Sequence, residues 1–494
     1  MLRAARAGWF VDPSRTRRVA MVVALACVLT VVAASFVLER FGASRPALWL
    51  LAAPLLLLVC YLASLGPKWS LALLIASIIS GLSENKVTLG ASLDVRVPDV
   101  FVVILLGWAL VIRARDGQRG NLIGRPFLAL WLAVLGLSLY PLLVQQDIGV
   151  ESLIPWLRLV ATLSLVWLVP YALRSRRDLH FALGALAAAG TLEVGQSIFD
   201  ALIHGNVTAR LVGTWGPNTT GLIAAWVVIL AIHGPVPRQG WMRAVMFVVG
   251  TSGLLMVRSL GSTAALVVAL GVYGLTNAGR RRTDTKPGLV TPYRVLLLLV
   301  VGIAVAAFLK PINFPGSPEF RSSSTAHRVV MADAGLRLFT HHPILGTGWQ
   351  RSPDVVRSLE LNDELRRRWE GEIAENLFPR AFDRGASVHN AYVQVLAETG
   401  AVGFAAFVAL LIAVGIGACR VLRDARADAS VFVSTRAAIV LLVATMVWFN
   451  DNPIYGSQPE TVMTALFLGI LAAVPPILAD SVDASADTVE PALR

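Results

Sequence analysis

Residues 126–144 read PFLALWLAVLGLSLYPLLV, nineteen residues without a charged side chain. An α-helix rises about 1.5 Å per residue, and the hydrocarbon core of a bilayer is about 30 Å thick, so about 20 apolar residues cross it. Arg125 precedes the segment and Gln145 follows it, so polar residues stand at both of its ends. This stretch therefore predicts a membrane-spanning helix.

Apolar segments of similar length recur along the whole chain, and we count about fourteen. They lie at 19–38, 46–65, 69–82, 98–113, 126–144, 153–172, 179–202, 218–233, 241–257, 262–276, 294–309, 390–418, 433–450 and 461–478. The segment at 69–82 is short and is also compatible with a re-entrant helix. The pattern predicts an all-α fold, a polytopic membrane helical bundle with about 12–14 transmembrane helices.

Composition excludes several classes of protein. Hydrophobic residues make up 56% of the chain and the mean hydropathy is +0.68, which is too apolar for a soluble protein. The three cysteines, Cys27, Cys60 and Cys419, lie in or at the end of apolar runs, which excludes a disulfide framework and a CxxC metal site. The formal charge of +12 comes mainly from arginines in short loops, so it indicates membrane orientation and no nucleic acid partner.

The loop arginines predict which side of the membrane each loop faces. If the N-terminus is cytoplasmic, every substantial inner loop is basic, as the positive-inside rule requires. The inner cations after the first span are Arg113, Arg115, Arg119, Arg125, Arg174, Arg176, Arg177, Arg238, Arg243, Arg280, Arg281, Arg282, Lys286, Arg420, Arg423 and Arg426. Both chain ends then lie in the cytoplasm.

The same topology divides the chain into four parts. They are an N-terminal transmembrane bundle of about eleven spans (1–309), an extracytoplasmic loop domain (310–388), the C-terminal transmembrane spans (389–479) and a disordered cytoplasmic tail (480–494). Within the loop domain, apolar residues at helical spacing predict an amphipathic helix from His327 to His342, which Pro343 ends. A second, highly charged helix is predicted between Pro353 and Leu377.

Arg210, Arg258 and Arg328 lie on the outer side, where the orientation rule disfavours cations. Guanidinium groups bind phosphate oxygens with two parallel hydrogen bonds, and helix N-termini attract anions, so these arginines suggest a diphosphate site. Anchoring to lipid headgroups explains each single arginine equally well. Both interpretations remain open at this stage.

Arg158 lies about one turn inside the sixth span, where an ionisable side chain is costly unless it is paired or faces a polar cavity. Glu193 of the seventh span is a possible partner. A structural salt bridge and a substrate-binding role for Arg158 are both consistent with this placement. The pair also leaves open a different class of protein, a membrane transporter.

His389 opens the twelfth span, where the polar loop domain ends. An unperturbed imidazole titrates near pH 6.5, so a neutral His389 is able to accept a proton from a sugar hydroxyl. A lone histidine is more often structural than catalytic.

Three segments resemble the O-antigen ligase and O-antigen polymerase superfamily of bacterial envelope glycan enzymes. They are Arg210 to Asn218 with its Gly-Thr-Trp and Pro-Asn; Arg328 to Gly348 with His-Pro-Ile-Leu-Gly-Thr-Gly; and His389-Asn390 with Tyr392, Leu396, Glu398, Gly400 and Gly403. The order of the segments and the long outer loop before the third are also similar. One departure is Ser262-Thr263, where the family often has Ser-Arg; Arg258 lies nearby.

The resemblance implies a GT-C-like glycosyltransferase in the bacterial cytoplasmic (inner) membrane, with its active site on the extracytoplasmic face. It implies metal-independent, inverting transfer of a glycan from a polyprenyl diphosphate-linked donor to an acceptor hydroxyl, without a cofactor. His389 would be catalytic. The diphosphate would be bound by Arg210, Arg328, Arg258 and Arg158, with supporting roles for Asn218, Asn390, Tyr392 and Glu398. The motifs do not separate an O-antigen ligase from a polymerase.

Overall fold

A computed structural model describes residues 61–81, 86–89, 93–116, 125–144, 150–205, 211–278, 324–352, 355–356, 361–370, 388–450, 452–454 and 458–489. The helices in these ranges are α1 (Pro67–Ile79), α2 (Val97–Asp116), α3 (Arg125–Val144), α4 (Val150–Ala172), α5 (Arg176–Ile203), α6 (Pro217–His233), α7 (Gly240–Val257), α8 (Leu260–Ala278), α9 (Ser324–His341), α10 (Leu361–Arg368), α11 (Ala391–Asp424), α12 (Ala429–Trp448) and α13 (Pro459–Val489). A short 3₁₀ helix, Ala425–Ala427, joins α11 to α12.

The predicted membrane helices are present wherever the chain is described. Among the helices of the described ranges, seven are long and apolar enough to cross a membrane, and four more apolar helices are shorter, among them α1 and α6. These eleven helices correspond to eleven of the fourteen predicted spans. The predictions at 19–38 and 294–309, and most of 46–65, lie outside the described residues. The all-α, polytopic helical bundle is therefore confirmed as the fold class.

Two features differ from the sequence prediction. A small antiparallel hairpin, β1 (Lys86–Leu89) and β2 (Leu93–Arg96), joins α1 to α2, with Lys86 opposite Arg96. The last helix continues to Val489, so residues 480–489 are helical although the sequence places them in a disordered tail. Adding a residue to an existing helix costs far less than nucleating a new one, and no Pro or Gly interrupts 480–489.

The helices α6 and α12 form the centre of the bundle. Every residue of α6 from Thr219 to Ala231 is buried, as expected for a helix that is hydrophobic on all sides. The buried indole N–H of Trp226 in α6 donates to the hydroxyl of Thr445 in α12 at 3.2 Å, so this polar group is satisfied inside the core. Helix α12 also packs against α8 and α13. These central helices form a rigid support for the residues at their ends.

The loop domain has its own small core. Helix α9 lays one apolar face, including Ala334 and Leu338, against Ala397 of α11, and Leu361 and Leu365 of α10 join the same cluster. The predicted helices of this domain are thereby confirmed, with α9 ending at His341 just before Pro343. Because α9 packs directly on α11, the loop domain is held against the membrane bundle near His389.

Candidate functional site

The N-terminus of α11 fixes the position of His389. Asn390 is the N-cap residue, and its side-chain oxygen accepts hydrogen bonds from the backbone N–H groups of Tyr392 and Val393, both at 3.0 Å. Its side-chain amide donates to the carbonyl of Asn450 at 3.0 Å. The backbone of His389 is therefore attached to the end of α12 through the next residue in the chain.

Tyr392 strengthens the same attachment. Its hydroxyl donates to the carbonyl of Met446 in α12 at 2.8 Å, and the N–H of Ala391 donates to the carbonyl of Phe449 at 2.9 Å. Asn390 and Tyr392, which the sequence assigns as supporting residues, thus hold the first turn of α11 against the last turn of α12.

A second histidine lies beside His389. The ring of His327, in the first turn of α9, meets the ring of His389 with centroids 5.3 Å apart and an interplanar angle of 61°. The sequence prediction uses His327 only as the start of a helix and gives it no role. Its spacing from Val330 and Ala334 places it on the face of α9 that packs inward, which is the signal that would have found it.

Both imidazoles have a reduced affinity for protons. Burial, followed by the charges of His327 and Arg328, lowers the pKa of His389 to about 4. Burial and the charge of Arg328 also lower the pKa of His327 below its ordinary value. Both rings are therefore neutral at pH 7, and each has an unprotonated nitrogen.

The rings also have buried nitrogen atoms without a hydrogen-bond partner in the protein, Nδ1 of His389 and Nε2 of His327. A buried polar atom without a partner costs about 1–3 kcal/mol, so proteins keep few of them. Two such atoms in touching rings leave hydrogen-bonding capacity there for a water molecule, a ligand or a proton.

The structure brings only some of the predicted arginines to this place. Arg328 follows His327 in α9, and its charge acts on both histidines. Arg258 ends α7 in a left-handed conformation (φ 51°) with an exposed side chain, and Arg158 is half-buried in α4. Arg210 lies outside the described residues.

Asn218 forms a second junction at the same end of the bundle. At the start of α6, its amide donates to the side-chain oxygen of Asn452 at 3.3 Å. Its carbonyl accepts hydrogen bonds from the indole of Trp448 and the hydroxyl of Ser262, both at 3.1 Å. The starts of α6 and α8 therefore meet the end of α12 here. Arg258 lies four residues before Ser262 in the chain.

Glu398 is fully buried in α11, and three groups donate to its carboxylate. They are the hydroxyl of Ser352 at 2.5 Å, the backbone N–H of Gln350 at 2.9 Å and the amide of Gln394 at 3.1 Å. Gln394 also exchanges hydrogen bonds with the backbone of Ile454, which follows Asn452. Glu398 therefore ties the loop domain to the segment that contacts Asn218. Sequence reasoning missed both Gln394 and Ser352. The only signal was a glutamine within an apolar helix, at Gln394.

Helix α11 is broken at Gly400, which has φ 66° and ψ −171°. The loop after Pro343 crosses this break. Its backbone forms hydrogen bonds with the N–H and C=O groups that the break leaves without helical partners. The N–H groups of Ala401 and Val402 donate to the carbonyls of Pro343 and Ile344, while Thr347 and Gly348 donate to the carbonyls of Ala397 and Glu398. The segment from Arg328 to Gly348 and the segment that begins at His389, both similar to the family, are thus hydrogen-bonded to each other at this crossing.

Glu193 does not pair with Arg158. Its carboxylate accepts a hydrogen bond from the backbone N–H of Thr214 at 3.2 Å, where it holds the loop that follows α5. The observation removes the charge pair on which the transporter interpretation depended. Arg158 itself remains a predicted binding residue.

Residues 245–408 match the family model described as O-antigen ligase. The matched range includes Arg258, Arg328, His389 and Glu398, while Arg210 and Asn218 precede it. The match supports membership of the O-antigen ligase superfamily, so the resemblance seen in the sequence is confirmed. At the level of the family, the match supports glycan transfer of the O-antigen ligase or polymerase type. A search of curated proteins found no match.

Proposed function

We propose, from the O-antigen ligase match over residues 245–408, that this chain is a membrane glycosyltransferase that takes its glycan from a polyprenyl diphosphate-linked donor. The acceptor is a hydroxyl of a glycan or glycolipid. The observation that carries the proposal is His389, a neutral imidazole with a partner-free buried nitrogen beside the charge of Arg328.

In the proposed mechanism, His389 accepts the proton of the acceptor hydroxyl while the oxygen attacks the anomeric carbon. The bond to the diphosphate breaks and its electron pair leaves with the diphosphate, so the anomeric configuration is inverted. Arg328, together with Arg210 and Arg258, stabilises the departing negative charge by charge-assisted hydrogen bonds, and no metal ion is required. Arg158 would contact the donor from α4.

The geometry also supports separate roles for the residues that bind substrate and the residues that position them. The junction around Asn218 and the Glu398 network connect α6, α11, α12 and the loop domain at the same end of the bundle. We assign Asn218, Asn390, Tyr392 and Glu398 to positioning, because their polar atoms already bind other parts of the protein. The reaction takes place on the extracytoplasmic face of the cytoplasmic membrane, where the loop arginines orient this end.

Ligation of a finished glycan to a different acceptor is our first choice, and polymerisation of repeat units by the same chemistry is the alternative. The two differ only in the acceptor. Purified protein in nanodiscs, supplied with one lipid-linked donor and either a glycolipid acceptor or a second lipid-linked repeat unit, distinguishes them by product length.

The mechanism is tested by His389→Gln and His389→Ala, with His341→Gln as the control because His341 is exposed at the far end of α9. We expect both His389 variants to fold and to lose transfer by about 10²–10⁴-fold, as is typical for a general base. A stable His389→Gln protein with the wild-type rate would refute the base role. Loss of activity on chelation of metal ions would refute the metal-free mechanism.

A further inference from the structure

The contact between His327 and His389 joins two elements that are distant in the sequence. Helix α9 lies so close to α11 that a Cβ atom on Gly335 would come within 2.7 Å of Val393 and 3.0 Å of Val388. Val388 is the residue directly before His389. The packing of α9 against Val388 therefore also fixes the distance between the rings of His327 and His389.

Packing alone does not explain why both residues are histidines. An apolar ring at position 327 would fill the same volume without a buried nitrogen that lacks a partner, and each such atom costs about 1–3 kcal/mol. The two partner-free atoms are Nδ1 of His389 and Nε2 of His327, one on each ring of the touching pair. Nε2 of His389 is not one of these buried partner-free atoms, and we assign it to the acceptor hydroxyl.

Burial and the charges around the pair disfavour an additional bound proton. Among the described residues, the titratable groups whose charges act on His389 are His327 and Arg328, and the charge of Arg328 acts on His327. Each of these groups is positive when it is charged. Burial and these charges lower the pKa of both histidines, so the neutral form of each ring is favoured at neutral pH.

We propose that His327 is the second proton carrier of the transfer reaction and receives the proton that His389 displaces. The inference rests on the proposed function. In the neutral resting state the proton of His389 is on Nδ1. When the acceptor O–H bond breaks, Nε2 of His389 takes that proton. The two rings then turn to form an Nδ1–H···Nε2 hydrogen bond, which the resting structure does not contain, and the Nδ1 proton passes along it to Nε2 of His327. His389 ends neutral, and His327 becomes the cation and releases its proton to solvent.

The first test compares His327→Phe, which keeps a ring against His389, with the control His341→Gln on the same helix. Measured in nanodiscs with a lipid-linked glycan donor, we expect His327→Phe to keep the wild-type thermal midpoint. Its kcat should fall by at least about tenfold while its KM for the donor stays unchanged, since a relay group acts on proton transfer and not on binding. Rate measurements in H₂O/D₂O mixtures should show two protons in motion for the wild type and one for the variant.

The second test needs no substrate. In protein labelled with ¹⁵N-histidine, the titration of His389 should shift to higher pH in His327→Phe, because a positive neighbour has been removed, and should not shift in His341→Gln. The acid limb of kcat/KM should shift in the same direction, since protonation of His389 removes the base.

The outcomes separate the relay from the proposed function. An unchanged His389 titration, or a His327→Phe variant with wild-type kcat, would overturn the relay even if glycan transfer is observed. Coupled titration in a protein that transfers no glycan from any lipid-linked donor would overturn the proposed function and the relay with it.

Discussion

Gly400→Ala tests whether the crossing of the loop domain over the break in α11 holds the site together. At φ 66° and ψ −171° the backbone of Gly400 occupies a region that is nearly restricted to glycine, so any side chain costs about 1–3 kcal/mol. A Cβ atom there would lie 2.5 Å from the backbone nitrogen of Leu345 and closer still to the carbonyl group of Ile344. The atoms in the way belong to the backbone, which cannot move aside as a flexible side chain does. The loop must therefore separate from α11.

Opening the crossing exposes the four backbone hydrogen bonds that connect the loop to α11. If half of them are lost without replacement, the strain and the lost bonds together amount to about 3–6 kcal/mol. The matched control is Gly415→Ala in the same helix, where no atom lies within 4 Å of the added Cβ. That variant should be neutral or more stable by up to about 1 kcal/mol, because alanine favours the helix.

The assay combines the thermal midpoint of the purified protein with trypsin cleavage after Arg351, which lies in the crossing loop. We expect Gly400→Ala to lower the midpoint and accelerate cleavage at Arg351, and Gly415→Ala to change neither. If the two variants have the same midpoint and the same cleavage rate, the crossing does not hold the loop, and the reasoning is refuted.

Four further results are expected. Glu398→Ala should lower the thermal midpoint more than Glu398→Gln, since alanine leaves three buried donors without an acceptor; equal midpoints would contradict the network. Arg328→Ala should reduce glycan transfer much more than it reduces the midpoint, and Arg328→Lys should restore transfer only in part, because an ammonium lacks the planar fork of a guanidinium; full activity of Arg328→Ala would exclude it from the donor site. In a cysteine-free background, the exposed position Glu370→Cys should react with an impermeant reagent added to intact cells and Ala427→Cys should not; the reverse pattern would invert the topology. Acidification from pH 7 to pH 4 should lower the thermal midpoint of the wild type more than that of His389→Gln. The reason is that the unfolded chain protonates His389 near pH 6.5 and the folded protein only near pH 4. An equal decrease of the midpoint in both proteins would contradict the lowered pKa.

The burial of Ser352 differs from what its neighbourhood in the sequence suggests. A serine in a polar, charged loop, such as Ser352, is expected to be accessible from water. In the structure Ser352 is buried and donates to Glu398. A charged neighbourhood in the sequence therefore did not indicate an exposed side chain, because the burial of Ser352 goes with its contact to Glu398, 46 residues away in the chain.

The candidate site could be predicted in part. His389 and Asn390 follow from the change from polar loop to apolar span, and the N-cap role of Asn390 is a local property of the helix start. Neither Gln394 nor His327 could be assigned a role in this way. Their partners, Ile454 and His389, are about sixty residues away in the chain, and no local pattern specifies which distant groups meet.

The sequence by itself determined the helices and their approximate limits, because the free energy of placing a segment in lipid depends on its own composition and length. The tertiary structure alone decided which buried polar groups face one another, such as the ring of His327 against His389 and the loop after Pro343 against the break at Gly400. Hydrogen bonds and contacts between rings act over only a few ångströms. They therefore depend on how helices from distant parts of the chain pack, which no single segment encodes.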